Sequence, residues 1–244
     1  MALLEVRGLG KRFGGVEAVR AMDFDLAEGE LLGLIGPNGA GKTTVFNLLS
    51  GFLTPDSGTI RLRGRSLVRL KPHAICQLGL ARTFQIVRPF PRMSVLQNVT
   101  VGALGRHQDA AEAERRARAV VERVGLGAKA DVGATALTLA ERKRLELARA
   151  LATEPSVLLL DEVMAGLSPT ETATLVDLIR AIHAAGVTIL VIEHNMRAVM
   201  ALSHRIVVLS FGEKITEGTP AAVANDPRVI EAYLGEEYVH APSP

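Results

Sequence analysis

The sequence of 244 residues contains no tryptophan and a single cysteine, and its aromatic residues make up only 4% of the positions. One cysteine, Cys76, excludes a disulfide within the chain and suits a reducing compartment. No apolar run is long enough to cross a bilayer, and the first residues are too charged for a secretory signal peptide. We therefore expect a soluble protein whose membrane role, if it has one, depends on a partner.

The chain also lacks a strong charge of either sign. Its 28 basic and 26 acidic residues leave a net charge of +2, which gives no general case for nucleic-acid binding. One stretch departs from this balance, because residues 57–108 contain nine Lys or Arg and no acidic residue. This stretch is either a solvated basic face or a surface that lies near membrane headgroups or an acidic partner.

The hydrophobic pattern indicates a mixed α/β protein with antiparallel strands at its amino end. Residues 1–35 alternate as strands do, and the short apolar runs 157–160 and 187–192 suit parallel strands buried on both faces. Helices are predicted over 42–50 and 108–124, and a helical insert over roughly 86–140. Between the two apolar runs, Ser168, Pro169 and Glu171 are typical of a helix start and Gly186 of its end, which makes a βαβ unit.

Residues 36–43, GPNGAGKT, match the phosphate-binding loop G-x-x-x-x-G-K-[ST] between an apolar strand and a helix. The glycines let backbone N–H groups converge on phosphates, and the helix N-terminus adds partial positive charge. Lys42 should reach the β- and γ-phosphates of a nucleotide, and Thr43 should bind Mg²⁺. A glycine-rich turn without a ligand would need both the spacing and the flanking elements to arise by coincidence.

Polar residues follow both buried apolar runs. In VLLLDE, Asp161 can hold Mg²⁺ through its water shell, and Glu162 can polarise the attacking water as a general base. VTILVI is followed by Glu193 and His194, and a histidine at the carboxyl end of a parallel strand can point into the crevice where such folds bind ligands. His194 could there donate to the γ-phosphate.

Together these motifs resemble the ATP-binding subunit of an ABC transporter, over nearly the whole chain. The resemblance implies a P-loop NTPase core with an antiparallel β subdomain and a helical subdomain at roughly 86–140, all within one ABC ATPase domain spanning 1–244. ATP and Mg²⁺ are the implied ligands. By this resemblance, GPNGAGKTT contributes the nucleotide-binding residues Gly36, Asn38, Gly39, Gly41, Lys42, Thr43 and Thr44.

The other family motifs are assigned in the same way. Gln85 in ARTFQ stands where the family has its Q-loop, a ligand of Mg²⁺ and water, and residues 165–168 fit the D-loop. Glu162 resembles the catalytic glutamate, and His194 the switch histidine. Phe13 in KRFGG matches the aromatic residue that stacks on adenine, the alternative being a phenylalanine of the core.

TLAERKRLELARALA, residues 138–152, falls where the family has LSGGQ followed by an arginine-rich helix. In the family this signature completes the nucleotide site of a second, head-to-tail subunit, so Thr138 and Ala140 become candidate nucleotide contacts. Thr138 and Glu141 can form a capping box, so the helix still starts there. The close approach that glycine permits is lost, and the Glu141 carboxylate would repel phosphate unless it turns back onto the backbone.

Within the family, the likeness is to bacterial branched-chain amino acid importers, carried by FGGVEAV, ARTFQIVRPFPRMSVLQNV, DEVMAGLSPTE, VIEHNM and VIEAYLGEE. It implies transmembrane permease subunits, a second ABC ATPase subunit (the same or a related chain), and indirectly an extracytoplasmic solute-binding protein. The chain would lie peripherally at the cytoplasmic face of the inner membrane. The expected permease groove has apolar anchors Phe90, Met93 and Leu96 and a polar rim of Arg88 and Arg92.

Several alternatives stay open at this point. The closing stretch also resembles subunits for urea and short amides, and those that power lipopolysaccharide export. A soluble ABC protein of translation or DNA repair usually has two cassettes or long coiled coils, whereas this chain has one phosphate loop. A P-loop kinase would not need a signature helix. A G protein would need an N-K-x-D motif, and neither Asn38 nor Asn195 begins one.

Overall fold

The structure is a computed structural model that describes residues 2–86 and 88–239. Its contacts divide the chain into two compact units. Unit 1 comprises Met1–Pro72 and Leu190–Pro244, and unit 2 comprises His73–Ile189. The chain passes from unit 2 to unit 1 within strand β8, Thr188–Ile192.

Unit 1 contains the antiparallel strands predicted at the amino end. The alternation of MDFDL places Met22, Phe24 and Leu26 on one buried face, where each is at most 2% exposed. The four strands form a sheet in the order β2-β1-β4-β5. They are β1 (Ala2–Phe13), β2 (Val16–Ala27), β4 (Ser57–Leu62) and β5 (Arg65–Ser66).

A second group of strands in unit 1 supports the phosphate loop. Strand β3 (Leu31–Ile35) is fully buried and pairs in parallel with β9 (Arg205–Ser210), which pairs antiparallel with β10 (Glu213–Gly218). Burial on both faces explains why β3 is uniformly apolar. The helices of this unit are α1 (Lys42–Leu49), α7 (Met196–Leu202), α8 (Pro220–Ala224) and α9 (Pro227–Val239).

Unit 2 holds the two parallel strands β6 (Leu80–Arg82) and β7 (Val157–Asp161). The helix predicted between the apolar runs is confirmed as α6 (Pro169–Ala184), with a capping box between Ser168 and Glu171. Its other helices are α2 (Pro72–Gln77, which starts at the boundary of the units), α3 (Val95–Leu104), α4 (Ala110–Arg123) and α5 (Leu139–Leu151). Short 3-10 turns occupy Gly127–Lys129 and Ala134–Ala136.

Candidate functional site

The phosphate loop joins the buried strand β3 to helix α1 in unit 1. Two of its glycines have no room for a side chain. A Cβ on Gly36 would lie 2.1 Å from the Leu209 carbonyl oxygen, and one on Gly41 would lie 2.3 Å from that of Ala18. Glycine is therefore required for the loop to pass this close to the backbone of its neighbours.

The start of α1 fits a nucleotide's phosphates. Gly41 precedes the helix with φ of 103° and makes no side-chain cap hydrogen bond, and the first turn carries no acidic residue. A Cβ on Gly39 would meet nothing within 4 Å. Gly41 therefore offers no side chain that could cap the first-turn N–H groups, and the dipole of the helix favours an anion there.

Lys42 is the first residue of α1, and it is buried with 6% of its surface exposed. Its ammonium donates to the carbonyl oxygens of Gly36 at 2.6 Å and Pro37 at 2.8 Å. A buried ammonium needs such acceptors, because burying an unsatisfied charge costs several kcal/mol. The loop therefore holds its own lysine along the phosphate-binding backbone.

The remaining predicted residues of unit 1 lie at the surface or close to it. Phe13 ends β1 and is 47% exposed, with the Lys11 ammonium 5.8 Å from its ring centre, so the alternative of a core phenylalanine is wrong. His194 is exposed and directly precedes Asn195, which caps α7. Asn38, Gly39 and Thr43 are exposed, and Thr44 is half-buried.

In unit 2, Asp161 ends β7 as predicted and is buried, but it has a partner that the sequence did not reveal. The Arg82 guanidinium donates to its Oδ2 at 2.7 Å, and both side chains are under 8% exposed. Strand pairing aligns them, because Arg82 is paired with Leu159, two residues before Asp161. Arg82 is thus not part of a solvated basic face, and the only hint of this in the sequence was its place in ARTFQ.

Gln85 and Glu162 come together in the same unit. The Gln85 amide Nε2 donates to the Glu162 carboxylate Oε2 at 2.6 Å. Glu162 has φ of 47°, in the left-handed region that residues with a Cβ rarely adopt. Such strain is found mainly where surrounding contacts enforce it, often at functional sites. The chemistry available here is a carboxylate that can accept a proton from water while a neutral amide fixes its orientation.

Helix α5 begins as the sequence indicated. The Thr138 hydroxyl accepts from the Glu141 N–H, and the Glu141 Oε2 accepts from the Thr138 N–H at 3.0 Å. Lys129 donates to the other carboxylate oxygen, Oε1, at 2.5 Å and holds the pKa of Glu141 below its usual range. The carboxylate is therefore turned onto the backbone and paired with a cation, which removes much of its repulsion toward phosphate.

The glycine positions of the signature are filled by Leu139, 47% exposed, and by half-buried Ala140. Leu139 lies against the predicted D-loop, since a Cβ on Gly166 would be 3.1 Å from its Cδ2. A cavity of about 130 Å³ adjoins this helix start. Its walls are Thr138, Ala140, Arg144, Leu167, Glu171, Thr174 and Leu175.

The expected permease groove is only partly apolar at the surface. Phe90 and Met93 are exposed at 39% and 37%, as anchors require, and the rim residues Arg88 and Arg92 are exposed as well. The assignment of Leu96 is wrong, because it is 5% exposed. Leu96 lies in the first turn of α3, on the face that packs inward.

Residues that could hold Mg²⁺ carry oxygen ligands, which this hard cation prefers. Among the residues that the structure describes, no three His, Cys, Asp or Glu side chains form a metal cage. The hydroxyl of Thr43 in unit 1, and the amide oxygen of Gln85 and the carboxylate of Asp161 in unit 2, are oxygen ligands of the kind that Mg²⁺ prefers. Over 2–86 and 88–239, no helix has both the length and the apolar character that a membrane crossing demands.

Matches to family models and to known protein sequences identify the family of this chain. The family model described as ABC transporter matches residues 19–165, and that of the branched-chain amino acid ATP-binding cassette transporter matches residues 213–239. The chain is 45% identical to the high-affinity branched-chain amino acid transport ATP-binding protein LivG of Salmonella typhimurium, over 96% of this chain and 98% of the relative. It is 35% identical to the lipopolysaccharide export system ATP-binding protein LptB of Acidithiobacillus ferridurans, over 97% and 98%.

A solved structure agrees with these matches. The ADP conformation of an ATP-binding cassette of an ABC transporter has a TM-score of 0.88 and 28% identity to this chain, and covers 96% of this chain and 99% of its own. The mixed α/β fold predicted from the sequence is confirmed by this likeness. The chain belongs to the ABC transporter family and is an ATP-binding, ATP-hydrolysing cassette of that family.

Proposed function

We propose that this chain is the ATP-hydrolysing subunit of an importer that carries branched-chain amino acids across the membrane. The observation that carries the proposal is the 45% identity to a branched-chain amino acid transport ATP-binding protein along almost the full length of both chains. The matched C-terminal residues 213–239 support the same substrate class.

We assign the hydrolytic roles as follows. Lys42 binds the β- and γ-phosphates, the first-turn N–H groups of α1 bind phosphate oxygens, and Phe13 stacks on adenine. Glu162 accepts the proton of the attacking water, with Gln85 orienting the carboxylate from 2.6 Å. Thr43, Gln85 and Asp161 would hold Mg²⁺, which would neutralise phosphate charge when bound. His194 donates to the γ-phosphate.

The rest of the assembly follows from the same proposal. Two ATPase subunits, identical or related, pair head to tail, and Thr138 and Ala140 of each reach the nucleotide of the other. The whole of 1–244 acts as one ABC ATPase domain, with the helical subdomain at 86–140. The subunit lies peripherally on the cytoplasmic face of the inner membrane, bound to permease subunits that receive solute from an extracytoplasmic binding protein.

Transport direction and substrate are tested together. The chain is co-expressed with its candidate permease chains, and uptake of radiolabelled leucine is measured in cells that lack their own leucine importers. Glu162→Gln is the matched control, because it keeps the shape of the side chain and removes the base. We expect leucine uptake with the natural chain and background uptake with the variant. Uptake of urea, or of no solute, would instead favour the short-amide or export alternatives.

Docking to the permease is tested at the exposed phenylalanine of the groove. Phe90→Asp places a charge where an apolar anchor should be buried. We expect the variant to leave membranes while its isolated ATPase activity stays within about twofold of the natural chain. Phe211→Asp changes an equally aromatic but 86% exposed side chain elsewhere and should stay on membranes. Membrane retention of Phe90→Asp with intact transport would contradict the assigned groove.

A further inference from the structure

Lys143 is a buried cation on the second turn of α5, with 4% of its surface exposed. Lysine is rarely buried, because its ammonium loses hydration that only good acceptors can replace. Two backbone carbonyl oxygens, those of Gln85 and Glu162, are among the acceptors here, each 3.1 Å from Nζ. The buried Lys143 ammonium therefore links the backbones of Gln85 and Glu162.

The same two residues also meet through their side chains. The Gln85 amide donates to the Glu162 carboxylate at 2.6 Å, so the backbone bonds of Lys143 and this side-chain bond close a ring of contacts. The Glu162 carbonyl belongs to a residue with φ of 47°, a conformation that needs external support. A charge-assisted hydrogen bond is well suited to provide that support.

Two further charged residues of α5 continue along the same helix face, at spacings of three residues. Glu146 is buried, and Arg149 donates to its Oε2 at 2.9 Å and to the Arg88 carbonyl at 3.1 Å. The Arg149 guanidinium also lies 4.9 Å from the ring centre of Phe90. One face of α5 thus binds the backbone at Gln85 and at Arg88, near the start of the expected permease groove. Of the charged residues on this face, Lys143 is the one that binds Glu162.

We propose that Lys143 is a positioning residue for ATP hydrolysis. By binding the backbone carbonyls of Gln85 and Glu162, it fixes the Gln85 amide and the Glu162 carboxylate relative to each other. In this proposal Lys143 acts on the base and not on the nucleotide itself. Its effect passes through Glu162, so the inference rests on the proposed role of Glu162 as the base. Because Lys143 belongs to the helix that starts at Thr138, it also ties the signature helix of a chain to that chain's own base.

The test compares Lys143→Met with Lys143→Arg in the full-length chain, with Lys71→Met, an exposed lysine, as the control. Steady-state ATPase kinetics, binding of a fluorescent ATP analogue and the thermal midpoint are measured for each. We expect Lys143→Met to lower kcat about 30-fold, with KM and nucleotide affinity within about twofold. Lys143→Arg should recover kcat to within about threefold, because its guanidinium can still donate to both carbonyls.

A second comparison separates positioning from a merely structural role. In a Glu162→Gln background the base is absent, so Lys143→Met should change the residual kcat by less than about twofold. If Lys143→Met does not fold, the same comparison is made with Lys143→Gln, whose amide NH₂ can still donate hydrogen bonds. An unchanged kcat, an equal loss in the Glu162→Gln background, or a loss confined to KM and thermal midpoint would overturn the proposal. A fully active Glu162→Gln would overturn the proposed role of Glu162 instead, which keeps the two failures distinct.

Discussion

Helices α1 and α5 both begin where we place phosphate, yet they satisfy their first N–H groups in opposite ways. α1 follows a glycine with φ of 103° and receives no side-chain cap, and its first turn has no acidic residue. α5 follows Thr138, whose hydroxyl and whose partner Glu141 form a complete capping box. The start of α1 thus has no side-chain cap, whereas the capping box of α5 satisfies part of that helix's own N–H groups.

This contrast shows that a helix N-terminus is not by itself an anion site. A side chain that caps the helix competes with an external anion for the same donors. We propose that α1 binds phosphate within its own chain, and Lys42 is already held along the loop by the Gly36 and Pro37 carbonyls. The capping box of α5 leaves only some of its N-terminal N–H groups available to a ligand. We therefore expect α5 to contribute less to phosphate binding than α1, and to do so only when the nucleotide of another chain docks against it.

The largest effect is expected from breaking the α1 side. Lys42→Ala removes the point charge on the β- and γ-phosphates and should lower ATP turnover at least about 100-fold, with weaker nucleotide binding. The fold should survive, as a thermal midpoint close to that of the natural chain would show. Lys71→Ala serves as the surface control. Turnover of Lys42→Ala within about threefold of the natural chain would contradict the phosphate-loop assignment.

Breaking the α5 side should separate binding from hydrolysis. Thr138→Arg places a bulky cation where the second chain's γ-phosphate should dock. We expect nucleotide affinity of the monomer to stay within about twofold, and turnover and ATP-dependent dimerisation to be lost. Equilibrium binding and size-exclusion chromatography with ATP check the two halves. Normal dimerisation and turnover would mean that this helix start is merely structural.

Making α5 resemble α1 should have a smaller effect. Leu139→Gly with Ala140→Gly restores close backbone approach and removes the contact of Leu139 with Gly166. If backbone N–H groups already supply the binding, turnover should change by less than about tenfold, which is about 1.4 kcal/mol. ATPase kinetics of the double variant measure this. A larger gain would show that the natural signature is impaired.

The smallest effect concerns the cap itself. Glu141→Gln removes the charge that Lys129 pairs with, and we expect a loss of about 0.5–1 kcal/mol in the free energy of unfolding near neutral pH. The folded-state pKa of Glu141 is lowered, so its contribution is present above the unfolded-state pKa and is lost as pH falls through the folded-state pKa. Urea unfolding at several pH values should therefore show the difference between the two proteins vanish in acid. A difference that grows in acid would contradict the ion pair.

Local patterns predicted much of this molecule. The two capping boxes at Thr138 and Ser168 and the buried strand β7 depend on residues close in sequence, and each is confirmed. Leu96 failed as a surface anchor because helical periodicity, not the apolar run it lies in, decides which face of α3 is buried.

Long-range pairs could not be predicted in this way. The Arg82–Asp161 ion pair joins residues 79 apart, and Lys143 binds carbonyls at separations of 58 and 19. Binary patterning reads a lysine in a helix as solvated, and no local rule marks it as buried. Such contacts appear only when β6, β7 and α5 are packed together.

The most direct test of the contrast between the two helix starts is a mixture of Thr138→Arg and Lys42→Ala chains. In a mixed head-to-tail dimer, one site combines Lys42 of the first chain with Thr138 of the second and is whole. Each variant alone should be inactive, and ATPase activity should return on mixing, up to about a quarter of the natural rate with random pairing of independent sites. Two inactive variants that stay inactive in every mixing ratio, although size-exclusion chromatography shows mixed dimers, would contradict a site shared between chains.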